Sequence, residues 1–197
     1  MNLVFIRHGE SDHNKDGYIS TNVESMSMLT EDGIKQVSES AKEIKDLGID
    51  FGKIYSSPLK RCVQTSEIIC YVLNISKDDI IYDINLKEID MGEYDGKLLS
   101  EYPYGYINGS HNHEPAHSFG GETLEDVEER IINFIPKLKE NSIIVSHRAP
   151  IRVFIKYLVG YEIKVKCGGY YLLKNWKINE PTIDLSWETY KRISKNK

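Results

Sequence analysis

The chain has 197 residues, 40% of them hydrophobic and 28% charged, which fits one globular domain with a sizeable core. No apolar run approaches the roughly 20 residues of a membrane span, and a net charge of -5 with scattered lysines offers no basic stripe to nucleic acid. Cys62, Cys70 and Cys167 are an odd number at no metal-ligand spacing, which argues against a disulfide framework. We therefore expect one domain over residues 1–197, in the cytoplasm, with neither membrane nor nucleic acid as partner.

The chain opens with a strand that ends at reactive side chains. The apolar run Leu3–Ile6 predicts a strand buried on both faces, and it stops at Arg7, His8 and Gly9. In open α/β sheets, ligands bind outside the carboxyl ends of the strands. A surface turn is the ordinary explanation of a single Arg-His pair, so the rest of the chain has to decide between the two.

The next segments predict a loop, a helix, a strand and a second helix. The loop is Lys15–Met28, the first helix runs from a cap at Thr30 to Gly48, the strand is Lys53–Ser56, and Ser57-Pro58 supplies the N-cap and first position of the second helix. The residues expected inward on the first helix are Ile34, Val37, Ala41 and Ile44. Arg61 falls in the first turn of the second helix, beside the carboxyl end of a strand, as Arg7 and His8 do.

A third strand at Ile80–Tyr82 precedes an acidic segment and a long irregular one. The segment Asp83–Gly96 contains the acids Glu88, Asp90, Glu93 and Asp95, and plain solvation is the ordinary explanation of any one of them. The segment from 98 to 121 has no helical or strand period and collects tyrosines, histidines and glycines. Connections this long are usually functional, so we expect a loop insertion over the site.

The last part of the chain repeats the pattern of the first. Thr123 caps a helix with Leu124, Val127, Ile131, Phe134 and Leu138 inward, and Pro136 should kink or shorten its last turn. The buried strand Ser142–Ser146 is followed at once by His147 and Arg148, then by a helix that begins near Pro150. Two more strand patterns lie near 170–176 and 182–187.

Four of these side chains can converge although they are far apart in sequence. In a doubly wound sheet, parallel strands bring their carboxyl ends to one edge, which places Arg7, His8, Arg61 and His147 together. Guanidinium forks bind phosphate oxygens, and a neutral imidazole can attack phosphorus. Such a pocket suits phosphoryl transfer in which protein cations do the work of a metal ion, with one carboxylic acid to protonate the leaving group and no cofactor.

Motifs along the chain also resemble a known family. RHGES with Asn14 is similar to the signature of the histidine phosphatase superfamily, the phosphoglycerate mutase-like proteins. The other matching segments, in order, are Leu29–Gly33 (LTEDG), Ser56–Arg61 (SSPLKR) with Gln64 and Thr65, Leu86–Gly96 (LKEIDMGEYDG), GGET from Gly120 with Arg130, and VSH ending at His147. The resemblance spans most of the chain from Leu3 to about Gly160.

The resemblance implies a fold and a set of roles. The fold would be a three-layer α/β sandwich, with a mostly parallel sheet between helices. His8 would be the nucleophile that becomes phosphorylated, and Glu88 the proton donor. The residues that would hold the phosphate are Arg7, Arg61, His147 and Asn14. Arg148 departs from the family pattern, in which glycine is common at this position, and it either adds a cation to the pocket or points into solvent.

The resemblance favours a phosphatase that acts on a small phosphorylated metabolite. A cofactor-dependent phosphoglycerate mutase is the alternative, although residues 15–29 contain nothing like the Phe-Thr-Gly-Trp stretch that the mutase branch usually shows. A non-catalytic phosphate-binding module is a second alternative. A nucleotide-binding domain is a third, but the turn after the first strand lacks the glycine-rich phosphate fingerprint.

Three features of the sequence allow more than one interpretation. The imidazoles of His111, His113 and His117 could share a zinc ion, although a polar loop explains them more simply and we expect no metal site. The rings of Tyr102, Tyr104, Tyr106 and Phe119 either flank the organic part of a substrate or pack against the domain. The sequence leaves the oligomeric state open, with a homodimer as one option.

Overall fold

The computed structural model describes residues 1–103, 106–107, 110–111, 114–160 and 163–177. The strands are β1 (Leu3–Arg7), β2 (Lys53–Ser56), β3 (Ile80–Tyr82), β4 (Tyr106–Ile107), β5 (Ser110–His111), β6 (Ser142–Ser146) and β7 (Tyr170–Leu173). The α-helices are α1 (Asp12–Asp16), α2 (Glu31–Asp46), α3 (Lys60–Leu73), α4 (Leu124–Phe134) and α5 (Arg148–Val159). Short 3₁₀ turns cover Lys77–Asp79, Ile84–Leu86, Gly92–Tyr94, Leu99–Glu101, Glu114–Phe119 and Ile135–Lys137.

Five strands form one sheet in the order β3-β2-β6-β1-β7. β6 lies between β2 and β1 and is parallel to both, and β3 is parallel to β2. β7 closes the other edge antiparallel to β1, with Phe5 opposite Tyr171. The predicted mostly parallel sheet is confirmed, and it brings the carboxyl ends of β1, β2 and β6 to one edge.

Helices cover both faces of the sheet. Successive side chains of a strand point to opposite faces, so the apolar residues of a buried strand pack against helices on both sides. Leu3 and Phe5 of β1 pack into a core with residues of α4 and α5. Val4 and Ile6 pack into a second core with residues of α2 and α3. The predicted three-layer α/β sandwich is therefore confirmed.

Several predicted element boundaries and buried faces differ in the structure. Helix α3 begins two residues later than predicted, with Leu59 as its N-cap, and the hydroxyl of Ser57 contacts both His147 and the Leu59 amide. Ile34 and Leu124 were expected inward, but they are 43% and 38% exposed. The period of a helix identifies its buried face, but the edges of that face depend on which neighbouring elements reach it.

Pro136 acts as predicted. α4 ends at Phe134, and the chain continues as a 3₁₀ turn with this proline in its first positions. Within the described residues, no helix is long and apolar enough to cross a bilayer. The strand pattern at 182–187 lies outside the described residues.

The described parts of the segment from 98 to 121 contain more secondary structure than the sequence indicates. It contains two 3₁₀ turns and the two-residue strands of a small hairpin. Tyr102 is buried, with its ring 5.1 Å from that of Tyr94, which also contacts Phe119. These two predicted aromatic residues therefore pack against the domain, while Tyr104 lies outside the described residues and the side chain of Tyr106 is not described.

Candidate active site

A cavity of about 270 Å³ opens at the carboxyl edge of the sheet. Its lining includes six of the seven predicted site residues: Arg7, His8, Asn14, Arg61, Glu88 and Arg148. Residues 17–21 and the apolar side chains of Ile89, Met91 and Leu99 complete much of the wall. Ligand pockets usually measure roughly 300–1,000 Å³, so this cavity suits a small molecule.

His8 is buried, and both of its ring nitrogens have partners. Nδ1 lies 2.7 Å from the carbonyl oxygen of Gly9, to which it donates, and Nε2 accepts the Nε–H of Arg61 at 3.1 Å. Burial and then the guanidiniums of Arg61 and Arg7 hold the pKa of His8 well below its ordinary value of 6.5. The imidazole is therefore neutral at physiological pH, with the lone pair of Nε2 as its nucleophilic electron pair.

Arg61 joins the two imidazoles to the wall of the cavity. Its Nη2 donates to the carbonyl oxygen of Ser20 at 2.8 Å and to Nδ1 of His147 at 3.1 Å. Its Nη1 donates to the hydroxyl of Ser20 at 3.1 Å. Ser20 was missed at the sequence level, since a serine in an irregular polar loop carries no pattern.

His147 lies behind Arg61 and is fully buried. Its ring is 5.0 Å from that of His8, and Nε2 lies 2.8 Å from the hydroxyl of Ser57. Burial and then Arg61 hold the pKa of His147 well below 6.5. The structure thus brings His147 to the site but not into the cavity lining, so its direct contact with a phosphate stays a prediction.

Arg7 and Asn14 offer donors to the cavity. Nη1 of Arg7 donates to the carbonyl oxygen of Val165 at 2.9 Å, while its Nε is buried without a hydrogen-bond partner among the described residues. A buried donor without a partner is costly, so it points to an acceptor that a ligand would supply. Oδ1 of Asn14 accepts the amide of Ser11 at 3.2 Å, which leaves the Asn14 amide group available to a phosphate oxygen.

Glu88 reaches the cavity from the segment that follows β3. Its Oε1 accepts the backbone amide of Ile89 at 3.0 Å and that of Ala149, in the first turn of α5, at 3.2 Å. One carboxyl oxygen is therefore fixed by backbone donors, and the other remains for a reacting group. Among the lining residues that the structure describes, Glu88 is the one carboxylic acid.

Arg130 and Glu122 hold the backbone on both sides of Glu88. Arg130 donates to Glu122 from Nε at 3.1 Å and from Nη2 at 3.2 Å, and to the carbonyl oxygens of Asn85 and Glu88. Oε2 of Glu122 accepts the amide of Asp90 at 2.9 Å. The GGET motif with Arg130 signalled this pair at the sequence level, although its contacts could not be predicted.

The turn that contains His8 is held by a contact between two backbones. A Cβ on Gly9 would lie 2.3 Å from the carbonyl oxygen of Gly33, and a Cβ on Gly33 would lie 2.0 Å from that of Glu10. Thr30 reinforces the contact, because its amide donates to the carbonyl of Glu10 at 2.9 Å and its hydroxyl to the carboxylate at 3.0 Å. The first turn of α2 therefore packs directly on the loop that contains His8.

Asp95 has a structural role, although solvation was its ordinary explanation. Its Oδ1 accepts the amide and the hydroxyl of Thr21 and the amide of Asn22. Because Ser20 precedes these residues, Asp95 supports the part of the wall that holds Arg61. Such a contact between distant loops leaves no periodic signal in the sequence.

Arg148 lines the cavity, as the first of its two alternatives requires, and its contact with a phosphate stays a prediction. Arg152, one turn further along α5, lines the cavity as well and was not predicted. Among the described residues, no three His, Cys, Asp or Glu side chains gather in a way that could hold a metal ion. His113 and the side chain of His111 lie outside that description, so the zinc alternative is not tested.

The sequence of this chain is similar to a protein-family model and to the sequences of known proteins. A family model described as histidine phosphatase superfamily (branch 1) matches residues 3–167. A protein of Thermoplasma acidophilum named 2,3-bisphosphoglycerate-dependent phosphoglycerate mutase is 33% identical over 156 residues, covering 79% of this chain and 75% of that protein. Phosphoserine phosphatase 1 of Hydrogenobacter thermophilus is 29% identical over 172 residues, covering 83% and 78%.

The fold is also shared with solved structures. The crystal structure of phosphoglycerate mutase from Bacillus anthracis superimposes with a TM-score of 0.70 at 21% identity, covering 88% of each chain. At this identity the likeness concerns the fold alone. The relatives that share more sequence are named for both transfer and hydrolysis of phosphate.

Proposed function

The chain belongs to the histidine phosphatase superfamily, and we propose that it hydrolyses small phosphomonoesters through a phosphohistidine at His8, without a metal ion. That it is an enzyme, of phosphatase or mutase type, follows from the family and the relatives. The observation that supports the hydrolytic mechanism most directly is the state of His8. Its imidazole is buried, neutral and hydrogen-bonded through Nδ1, and its Nε2 faces the guanidinium of Arg61 in a residue that lines the cavity.

In the first step, Nε2 of His8 attacks phosphorus and the bond from phosphorus to the ester oxygen breaks. Arg7 and Arg61 stabilise the charge on the equatorial oxygens, a task that metal ions perform in kinases. Glu88, in its acid form, gives its proton to the leaving oxygen, so the alcohol departs neutral. Asn14 donates from its amide to another phosphate oxygen.

In the second step, water attacks the phosphohistidine. The carboxylate of Glu88 accepts a proton from that water, the bond from phosphorus to Nε2 breaks, and inorganic phosphate leaves. His8 returns to its neutral form because burial and the nearby cations disfavour the imidazolium. The cycle uses no group beyond the chain, the ester and water.

An aryl phosphate assay tests this proposal. Activity is expected without added divalent metal, in the presence of EDTA, and to be inhibited by vanadate. His8→Asn is expected to lower kcat by at least roughly 1000-fold, because it removes the nucleophile, while His117→Asn changes an exposed histidine and serves as the matched control. Activity that EDTA abolishes and zinc restores would contradict the metal-independent mechanism.

Trapping the intermediate identifies the atom that reacts. Acid-labile, alkali-stable label from a ³²P-labelled substrate should appear on the wild-type protein and be absent from His8→Asn. Label that persists in this variant would mean that another residue is the nucleophile.

A bisphosphate-dependent phosphoglycerate mutase is the second candidate, favoured by the printed name of the Thermoplasma relative. Incubation with 2- and 3-phosphoglycerate, with and without 2,3-bisphosphoglycerate, separates the two reactions. Release of inorganic phosphate supports the phosphatase. Interconversion of the two isomers without such release supports the mutase.

A further inference from the structure

The cavity carries more cationic groups than one phosphoryl group uses. Its described lining contains four arginines, Arg7, Arg61, Arg148 and Arg152, and one carboxylate, Glu88. A phosphoryl group brings about two negative charges near neutral pH. Two of the four arginines, Arg7 and Arg61, lie near His8 and are the ones assigned to that group.

The other two arginines, Arg148 and Arg152, belong to helix α5. In an in-line transfer, the leaving oxygen is opposite the attacking nitrogen, so the proton donor marks the leaving-group side. Glu88 is that donor, and its Oε1 is bound to the amide of Ala149, the second residue of α5. Arg148 and Arg152 are therefore on the helix whose first turn contacts the proton donor, which associates them with the leaving-group side of the reaction.

Arg148 and Arg152 also form a pair on the helix. Residues four apart lie on the same face of an α-helix, with Cβ atoms roughly 5–6 Å apart. Both side chains line the cavity, with Ala149 between them contributing a small side chain. Two guanidiniums at this spacing can bind one carboxylate or phosphate from two directions.

We propose that Arg148 and Arg152 form a second anion subsite, which selects phosphomonoesters whose alcohol part carries its own carboxylate or phosphate. The inference rests on the proposed function, since it defines the subsite by the leaving group of that reaction. In this proposal Arg148 and Arg152 determine substrate specificity, whereas Arg7 and Arg61 hold the transferred phosphoryl group.

Three substrates test this proposal by the release of inorganic phosphate. Glycerol 3-phosphate has an uncharged alcohol part, 3-phosphoglycerate adds a carboxylate to a similar skeleton, and propane-1,3-diol bisphosphate adds a phosphate. We expect kcat/KM for at least one of the two-anion substrates to exceed that for glycerol 3-phosphate by about tenfold or more. Which of them is preferred distinguishes a carboxylate from a phosphate as the second group.

Variants assign the preference to the two arginines. The ratio to follow is kcat/KM for the preferred two-anion substrate divided by kcat/KM for glycerol 3-phosphate. Arg148→Gln and Arg152→Gln are each expected to lower this ratio to about two or less. Lys156→Gln, on the same helix but outside the cavity lining, should keep the wild-type ratio. Arg148→Lys retains the charge without the planar fork and should keep part of the ratio. Calorimetric binding of the same compounds to His8→Asn provides a readout that needs no turnover.

The outcomes separate the two proposals. A preference that survives both glutamine variants, or equal rates and equal affinities for all three compounds, overturns the subsite and leaves the phosphatase intact. Hydrolysis of none of these compounds and of no aryl phosphate overturns the phosphatase. In that case tighter binding of the two-anion compounds, lost in Arg148→Gln, would still support the subsite.

Discussion

The two buried histidines should make the stability of the protein depend on pH. His8 and His147 are neutral in the folded protein because burial, before any neighbouring charge, lowers the pKa of each. In the unfolded chain they titrate near the reference value of about 6.5. Below that pH the unfolded chain binds more protons than the folded one, so stability is full above about 6.5 and is lost as the pH falls.

The magnitude follows from the linkage relation. One imidazole that stays neutral in the folded state contributes a loss of about 1.4 kcal/mol between pH 7.5 and 5.5. In His147→Gln that contribution is removed, so its free energy of unfolding should fall by about 1.4 kcal/mol less than that of the wild type over this range. His117→Gln, which replaces an exposed histidine, should keep the wild-type dependence.

Urea unfolding followed by circular dichroism, at both pH values and for all three proteins, measures these differences. The stability of His147→Gln at a single pH is not informative, because loss of the His147 contacts lowers the free energy of unfolding by itself. Only the change in the free energy of unfolding between the two pH values reports the titration of His147. Equal changes in the wild type and in His147→Gln would refute the argument, since they would mean that His147 binds its proton equally well in the folded and unfolded states.

Three further substitutions test the surroundings of the nucleophile and the acid. Arg130→Gln should lower kcat about tenfold more for an alkyl phosphate than for an aryl phosphate, because a displaced Glu88 matters most when the leaving group needs a proton. Gly33→Ala should lower the free energy of unfolding by about 1–3 kcal/mol, since its Cβ would meet the carbonyl of Glu10. Asp95→Ala should lower kcat/KM about tenfold by releasing the wall that positions the active-site guanidinium.

Each of these variants has a matched control. Lys53→Gln breaks a surface ion pair instead of the buried network, Glu39→Ala changes an exposed position on α2, and Glu93→Ala removes an exposed acid from the same segment as Asp95. An equal loss for both types of ester in Arg130→Gln would count against its positioning of the acid. Wild-type stability of Gly33→Ala would count against the backbone contact.

The strands and the strand ends could be predicted from the sequence because both signals are local. Apolar runs such as Ser142–Ser146 identify buried strands, and polar residues directly after them, such as His147, mark the edge where ligands bind. The topology of parallel sheets then brings these side chains together without any knowledge of their contacts. The cap at Thr123 was predictable for the same reason, since its partner is three residues away.

The residues that the sequence did not reveal act through contacts between distant segments. Ser57 matches a helix cap by its local pattern, but its hydroxyl also contacts His147, 90 residues away. Ser20 and Asp95 lie in segments without periodicity, and their partners are 41 and 74 residues away. No local pattern encodes such pairs, which become visible only once the chain has been placed in three dimensions.

The parallel alignment of β1, β6 and β2 has a consequence for how the active protein arises. His8, the proposed nucleophile, follows one of these strands, Arg61 lies in the first turn of the helix after another, and His147 follows the strand between them. Loss of any one of these three strands separates the three groups, so the proposed activity should report on assembly of this part of the sheet. Inactivation and unfolding should therefore have the same midpoint concentration of urea. A fragment that ends before β6 should contain the RHGES motif but show no turnover.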